Sequence, residues 1–296
     1  MTQGGPFLHC ILILRLPLAL ILMRLRISWR SDDSSTFSFL SSSSSLPLFF
    51  DLDATLVENG FSRKAVMPLL QEIADTADES LDVIRRAFGD ENWRRQQETP
   101  DDVLTMDWND ILHTIAARYN ATLSDTIDNR WQYYANADDI EILDTSPAVL
   151  KQLQHPNRKL VLSTKGLLKY QQPVLDLTGL YPLFDDILTP DRTGYLKTSP
   201  DYFATYANIE ALKIQIGDHY YDDVICANQK GYMSIMRVPI DDLSVYDPFE
   251  RPQFLADYKD DIATYPKLTS DIVPDAVVVS LTELPDVINR LETFTD

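Results

Sequence analysis

The stretch Leu48-Phe49-Phe50-Asp51-Leu52-Asp53-Ala54-Thr55-Leu56 runs apolar for the length of a short strand and then stops at two aspartates one residue apart. The carboxylates therefore sit where a buried strand meets a loop. Two like charges held together in such a place are strongly unfavourable unless a cation neutralises them, so a bound metal is the simplest explanation. The carboxyl end of a strand is also where open α/β sheets bind ligands. Taken alone, the stretch leaves open the less favoured reading that Asp51 and Asp53 are ordinary turn or helix-cap residues. The rest of the chain separates the two readings.

Working outward, three further strand-like runs end in reactive side chains. Leu160-Val161-Leu162-Ser163-Thr164-Lys165-Gly166 ends in hydroxyls. Ile187-Leu188 is followed by Gly194-Tyr195-Leu196-Lys197, which brings a lysine. Ile214-Gln215-Ile216-Gly217-Asp218-His219-Tyr220-Tyr221-Asp222-Asp223-Val224 ends in a cluster of acids. Acid pair, hydroxyl, lysine and acid cluster, each at a strand's exit, together resemble the four motifs of the haloacid dehalogenase (HAD) superfamily, in the order and spacing of its phosphatase branch. The resemblance runs from about Leu48 to the C-terminus.

That resemblance implies a fold: an α/β, Rossmann-like, mainly parallel sheet core carrying an inserted α-helical cap of the C1 type. It also implies a chemistry. Phosphoryl transfer needs an in-line nucleophile, a proton for the leaving oxygen and charge stabilisation of the phosphoryl group. Asp51 stands at the family's nucleophile position, which forms an aspartyl phosphate. Asp53 stands at the position of the acid that protonates the leaving oxygen and later activates water. A halide leaving group needs no such proton, and the dehalogenase branch lacks the second acid. Thr164 matches the phosphoryl-binding hydroxyl, with Ser163 as the alternative, and Lys197 the phosphate-neutralising lysine. Mg²⁺ favours a few oxygen ligands. By the resemblance it is held by Asp51, the backbone carbonyl of Asp53, Asp218 and Asp223, with Asp222 the alternative closing acid. The chain departs from the usual pattern at Ala54, where glycine is common, and at Lys165, where asparagine is common and a lysine adds positive charge near the phosphate. His219 reads as a loop residue, since Mg²⁺ disfavours nitrogen.

Composition narrows the function. The chain has 296 residues, 45% of them hydrophobic and 24% charged, as in a globular protein. Its 26 basic against 45 acidic residues give a net charge of −19. Such a surface repels nucleic-acid phosphates and makes a metal useful wherever an anionic substrate must land. Cys10 and Cys226 fit neither a disulfide framework nor a zinc site, so a reduced, cytoplasmic setting is expected.

Residues 7–27 are rich in Leu and Ile but broken by Arg15 and Pro17. A central arginine costs about 2.5 to 3.5 kcal/mol on insertion, which makes a membrane span marginal. Residues 1–45, with serines unbroken from Ser41 to Ser45, are expected to be a disordered extension, and membrane contact is the less favoured reading. The core is predicted over residues 46–57 and 145–296, and the cap over 58–144, where Val66, Leu69, Leu70 and Ile73 show helical spacing. Thr99-Pro100-Asp101-Asp102 reads as a helix break, and residues 240–272 as an irregular surface excursion. Arg85, Arg86, Arg94, Arg95 and Trp93 suit either a nucleotide- or sugar-phosphate-binding face or a solvated one. The expected activity is Mg²⁺-dependent hydrolysis of a small phosphorylated metabolite. The rivals are a phosphomutase or phosphotransferase of the same fold and a non-catalytic binding or regulatory protein.

Overall fold

The computed structural model describes residues 45–99, 103–258 and 272–293, all within the compact unit Ser42–Asp296. The apolar segment 7–27, the serine run up to residue 44, positions 100–102 of the predicted helix break and 259–271 of the predicted excursion lie outside the described residues. The strands are β1 (Leu46–Phe50), β2 (Val57–Asn59), β3 (Ile140–Ile142), β4 (Arg158–Ser163), β5 (Asp186–Leu188), β6 (Ile214–Gly217), β7 (Met233–Arg237) and β8 (Ala276–Val278). The longer helices are α1 (Met67–Ala77), α2 (Leu81–Glu98), α3 (Trp108–Arg118), α4 (Ile127–Tyr134), α5 (Ser146–Leu153), α6 (Leu168–Thr178) and α7 (Leu284–Thr293). No helix among the described residues is long and apolar enough to cross a membrane.

Six strands form one parallel sheet in the order β5-β4-β1-β6-β7-β8, a Rossmann-like α/β core. The unbroken apolar run of β1 follows from burial on both faces. Leu48 and Phe50 join one cluster with Leu160, Leu162, Ile214 and Ile216. Phe49 points to the other face, against Phe203 and Tyr206, whose ring centroids each lie 5.0 Å from its own. Pro47 is tolerated in this central strand because pairing with β6 begins only at Leu48. From β1 the chain builds outward through β4 and β5, then crosses back to β6 and builds the other way. The loops leaving β1, β4 and β6 consequently diverge at one edge, which is the switch point where such sheets bind ligands.

Between β1 and β4 the chain makes a helical insertion, α1 to α4, closed by antiparallel pairing of β2 with β3 (Val57 opposite Ile142). These strands are three residues each, too short for the two-residue periodicity that would have revealed them in the sequence. Both crossings between core and insertion are conformationally strained. Ala54, Asp144 and Thr145 all have positive φ, at 57°, 48° and 56°. Arg237, at the end of β7, ties the crossings together by donating to the Ala54 carbonyl (3.2 Å) and to Asp144 Oδ2 (2.9 Å). The arginines of α2 are largely engaged: Arg94 and Arg95 grip buried Glu91 and hold its carboxyl down at about 2, and Arg85 pairs with Asp82. Trp93 is exposed. The sequence pattern over Tyr202 to Ala211 predicts a helix ahead of β6; the structure has instead a run of 3₁₀ turns, Pro200–Tyr206, kinked at Phe203.

The segment after β7 is pinned by Arg251, which is only 2% exposed. Its guanidinium donates to the carbonyls of Leu243, Tyr246 and Val277 and, at 2.6 and 2.8 Å, to both oxygens of Glu283. Removing one partner of such a pair strands the other, so Arg251→Met should cost about 3 to 5 kcal/mol in urea-induced unfolding, with Glu283→Gln costing less.

Candidate active site

The carboxyl edge of the sheet gathers the acids. The Asp51 N–H donates to the Ile216 carbonyl at 2.9 Å, so the chain turns out of β1 while still tied to β6. Lys197 is buried, and its Nζ lies 2.7 Å from Asp51 Oδ1 and 2.6 Å from Asp223 Oδ1. Asp223 also accepts from Gln215 Nε2 (2.9 Å) and from the His219 N–H (3.0 Å). It comes this close because residue 217 is glycine: a Cβ there would stand 2.1 Å from the Asp223 Cγ. Asp218 accepts from Thr55 Oγ1 at 3.2 Å.

Carboxylate oxygens of Asp51, Asp218 and Asp223 lie within 4.8 Å of one another. Burial pushes each carboxyl up to about 6, and repulsion by a neighbouring acid adds to it: Asp218 acts on Asp51, Asp223 on Asp218, and Asp51 on Asp223. Burial works against the Lys197 ammonium, but Asp223 and Asp51 outweigh it and keep the lysine charged. One ammonium among three carboxylates leaves the group net negative. An all-oxygen set this tight suits a hard divalent cation such as Mg²⁺.

Asp53 faces the same space but has different partners. Gln171 Nε2 donates to its Oδ2 at 2.8 Å and Asn59 Nδ2 to its Oδ1 at 2.5 Å. Burial among the surrounding protein atoms raises its pKa, and these two hydrogen bonds pull the other way. Gln171 Nε2 also reaches Thr164 Oγ1 at 3.3 Å, linking the second acid to the hydroxyl. Gly166 permits this, since a Cβ there would sit 2.1 Å from Gln171 Nε2. Neither Gln171 nor Asn59 stood out in the sequence. The only local hint was a glycine two residues after Thr164.

Of the other predicted positions, Lys165 lines the cavity and pairs with Asp222 at 3.0 Å. Asp222 borders the cavity too but stands outside the three-acid cluster, which Asp223 completes. Ser163 is fully buried within β4 and does not line the cavity. His219 caps the turn, its Nδ1 accepting the Asp222 N–H at 3.2 Å. Ala54 takes the left-handed conformation that explains why glycine is common there.

Asp51, Asp53, Thr164, Lys197, Asp218 and Asp223 open onto one cavity of about 490 Å³. Its lining also includes Phe61, Met106 and Trp108 from the insertion and Tyr170 from α6. Arg85, Arg86, Arg94, Arg95 and Trp93 do not border it.

Comparison with known proteins agrees with this architecture. No curated protein matches the chain in sequence. A solved HAD phosphatase from Thermococcus onnurineus superposes with a TM-score of 0.58 at 19% identity, covering 82% of this chain and 97% of its own. The HAD-hydrolase YfnB from Bacillus subtilis, solved with magnesium bound, gives 0.53 at 18% identity over 83% of this chain and 99% of its own. L-2-haloacid dehalogenase from Xanthobacter autotrophicus gives 0.52 at 17% identity, again over 83% and 99%. At these identities the likeness is one of fold, shared by phosphatases and dehalogenases. The family model for haloacid dehalogenase-like hydrolases matches residues 48–213, more than half of the chain, and the chain belongs to that family.

Proposed function

We propose that this hydrolase is a Mg²⁺-dependent phosphatase acting on a small organic phosphomonoester through an aspartyl phosphate on Asp51. The observation that carries this reading is Asp53, a second carboxyl on the same cavity as Asp51, held at both oxygens by Asn59 and Gln171. Displacing an alkoxide requires a proton donor, whereas displacing a halide does not. A carboxyl whose pKa is raised by its surroundings suits that task.

Lys197 occupies Asp51 Oδ1 and fixes the carboxylate's orientation. An oxygen of Asp51 attacks phosphorus, the bond from phosphorus to the ester oxygen breaks, and Asp53 gives its proton to the departing oxygen. Asp53 then takes a proton from water, which attacks the aspartyl phosphate, releases inorganic phosphate and restores Asp51. Thr164, Lys165 and Lys197 hold the phosphoryl oxygens. Asp51, Asp218 and Asp223 with the Asp53 carbonyl would hold Mg²⁺, which would supply the positive charge that lets an anionic substrate approach these acids. The helical insertion, residues 58–144, acts as the cap that excludes water and recognises the alcohol part of the ester.

Asp51→Asn should lower phosphate release by about 10³-fold or more, because the nucleophile is lost. Activity that survives the change removes Asp51 from this role. Asp53→Asn should cost alkyl phosphates about 10² to 10⁴-fold but p-nitrophenyl phosphate far less, since that leaving group needs little protonation. Equal losses on both esters remove Asp53 from the proton-donor role, and halide release from a 2-haloacid by the unaltered protein argues for the dehalogenase branch.

The acid cluster also sets a pH dependence. Its three carboxyls titrate at about 6 in the folded chain, against an ordinary value of 3.8. Between those values the folded state binds more protons than the unfolded one, so the metal-free cluster's contribution to stability falls as pH rises from about 4 to about 6. Mg²⁺ competes with those protons. It should therefore raise the melting temperature more at about pH 7.5 than at about pH 5, and Asp218→Asn should abolish that difference.

A further inference from the structure

The cavity has two ends of unlike chemistry. At the sheet edge stand the acids, Thr164 and the lysines. The insertion and α6 add Phe61, Met106, Trp108 and Tyr170, a largely apolar part of the lining. The Phe61 ring centroid lies 5.3 Å from that of Trp108 and 5.4 Å from that of Tyr170, so the rings brace one another. The Tyr170 hydroxyl is already engaged, accepting the Asn109 N–H and donating to Asp107 Oδ1, both at 3.0 Å. Tyr170 therefore offers a ligand its ring.

Charge is distributed just as unevenly. Among the described residues lining the cavity, the lysines are Lys165 and Lys197, both at the phosphate end, and there is no arginine. On the insertion's side the charged residue is Glu58. Arg63 and Arg85 line a neighbouring cavity that shares Glu58, Asn59 and Ser62, but they are engaged by Asp139 and Asp82, so a second anionic group placed there would give up its hydration for cations already paired and would face a carboxylate.

Building on the phosphatase reading, we infer that the substrate is the monophosphate of an alcohol with a flat, apolar body and no second anionic group. Its phosphoryl group lies against Asp51, Thr164 and Lys197, and its body against Phe61, Trp108 and Tyr170. A cavity of about 490 Å³ accommodates a ring beside the phosphoryl group. Sugar bisphosphates and nucleoside di- and triphosphates fall outside this class.

The test is phosphate release by the full chain with Mg²⁺ from ethyl phosphate, 2-phenylethyl phosphate and 1,3-propanediol bisphosphate. All three leave as primary alcohols, so leaving-group acidity does not decide the ranking. The phenyl ester should exceed ethyl phosphate by about tenfold or more in kcat/KM, mainly through KM, and the bisphosphate should fall below ethyl phosphate. Trp108→Ala should cut the phenylethyl-to-ethyl ratio about tenfold, and Met106→Lys should raise the bisphosphate-to-ethyl ratio. Ratios taken within one variant are insensitive to partial loss of folded protein. Release from all three esters without preference for the phenyl ester, or with preference for the bisphosphate, overturns this inference alone. Absence of release from every ester, p-nitrophenyl phosphate included, overturns the phosphatase reading beneath it.

Discussion

The buried ammonium of Lys197, 2.7 Å from Asp51 and 2.6 Å from Asp223, is the contact on which the rest of the site depends. It joins three separate loops: the one leaving β1, the one following β5 and the one leaving β6. Without it, the carboxylates of Asp51 and Asp223 would face each other largely shielded from water with no cation between them. With it, Asp51 is held in one orientation at the head of a buried central strand of the sheet. The surplus of negative charge that remains suits this cluster to a divalent cation.

Close backbone approach does the remaining assembly. Gly217 lets Asp223 fold back beneath Asp218, and Gly166 lets Gln171 reach over Thr164 to Asp53. In each case the missing side chain leaves room for a functional group belonging to a residue several positions later. The two carboxyls at the end of β1 thus receive contrasting surroundings. Asp51 lies among charges, whereas Asp53 is held by neutral amides. That contrast suits two acids of the same type to the different roles proposed for them.

Much of this was legible in the sequence because strand exits are punctuated by composition. An apolar run ending in Asp51 and Asp53, or in Gly217 and Asp218, announces itself locally, and the order of four such exits fixed the parallel core. The short strands β2 and β3 left no such trace, since three residues cannot display a period. The turns at Pro200–Tyr206 misled for a different reason: Tyr202, Phe203 and Tyr206 have the spacing of a helix but pack as a kinked 3₁₀ run onto Phe49 and its neighbours. Gln171 was invisible because a glutamine on a helix says nothing about what lies across from it. Asn59 was hidden likewise, its partner Asp53 being reached only through the turn at Ala54.

The pairing of β2 with β3 has one more consequence. Because Val57 stands opposite Ile142 and Asn59 opposite Ile140, the insertion departs and returns through adjacent backbone, and the parallel sheet never registers how much chain lies between. Loop-closure cost grows only slowly with length, so this stretch is free to lengthen, shorten or be exchanged wholesale while the strand order stays as it is. In such an arrangement descent can remodel what the enzyme selects without reopening the question of how it reacts.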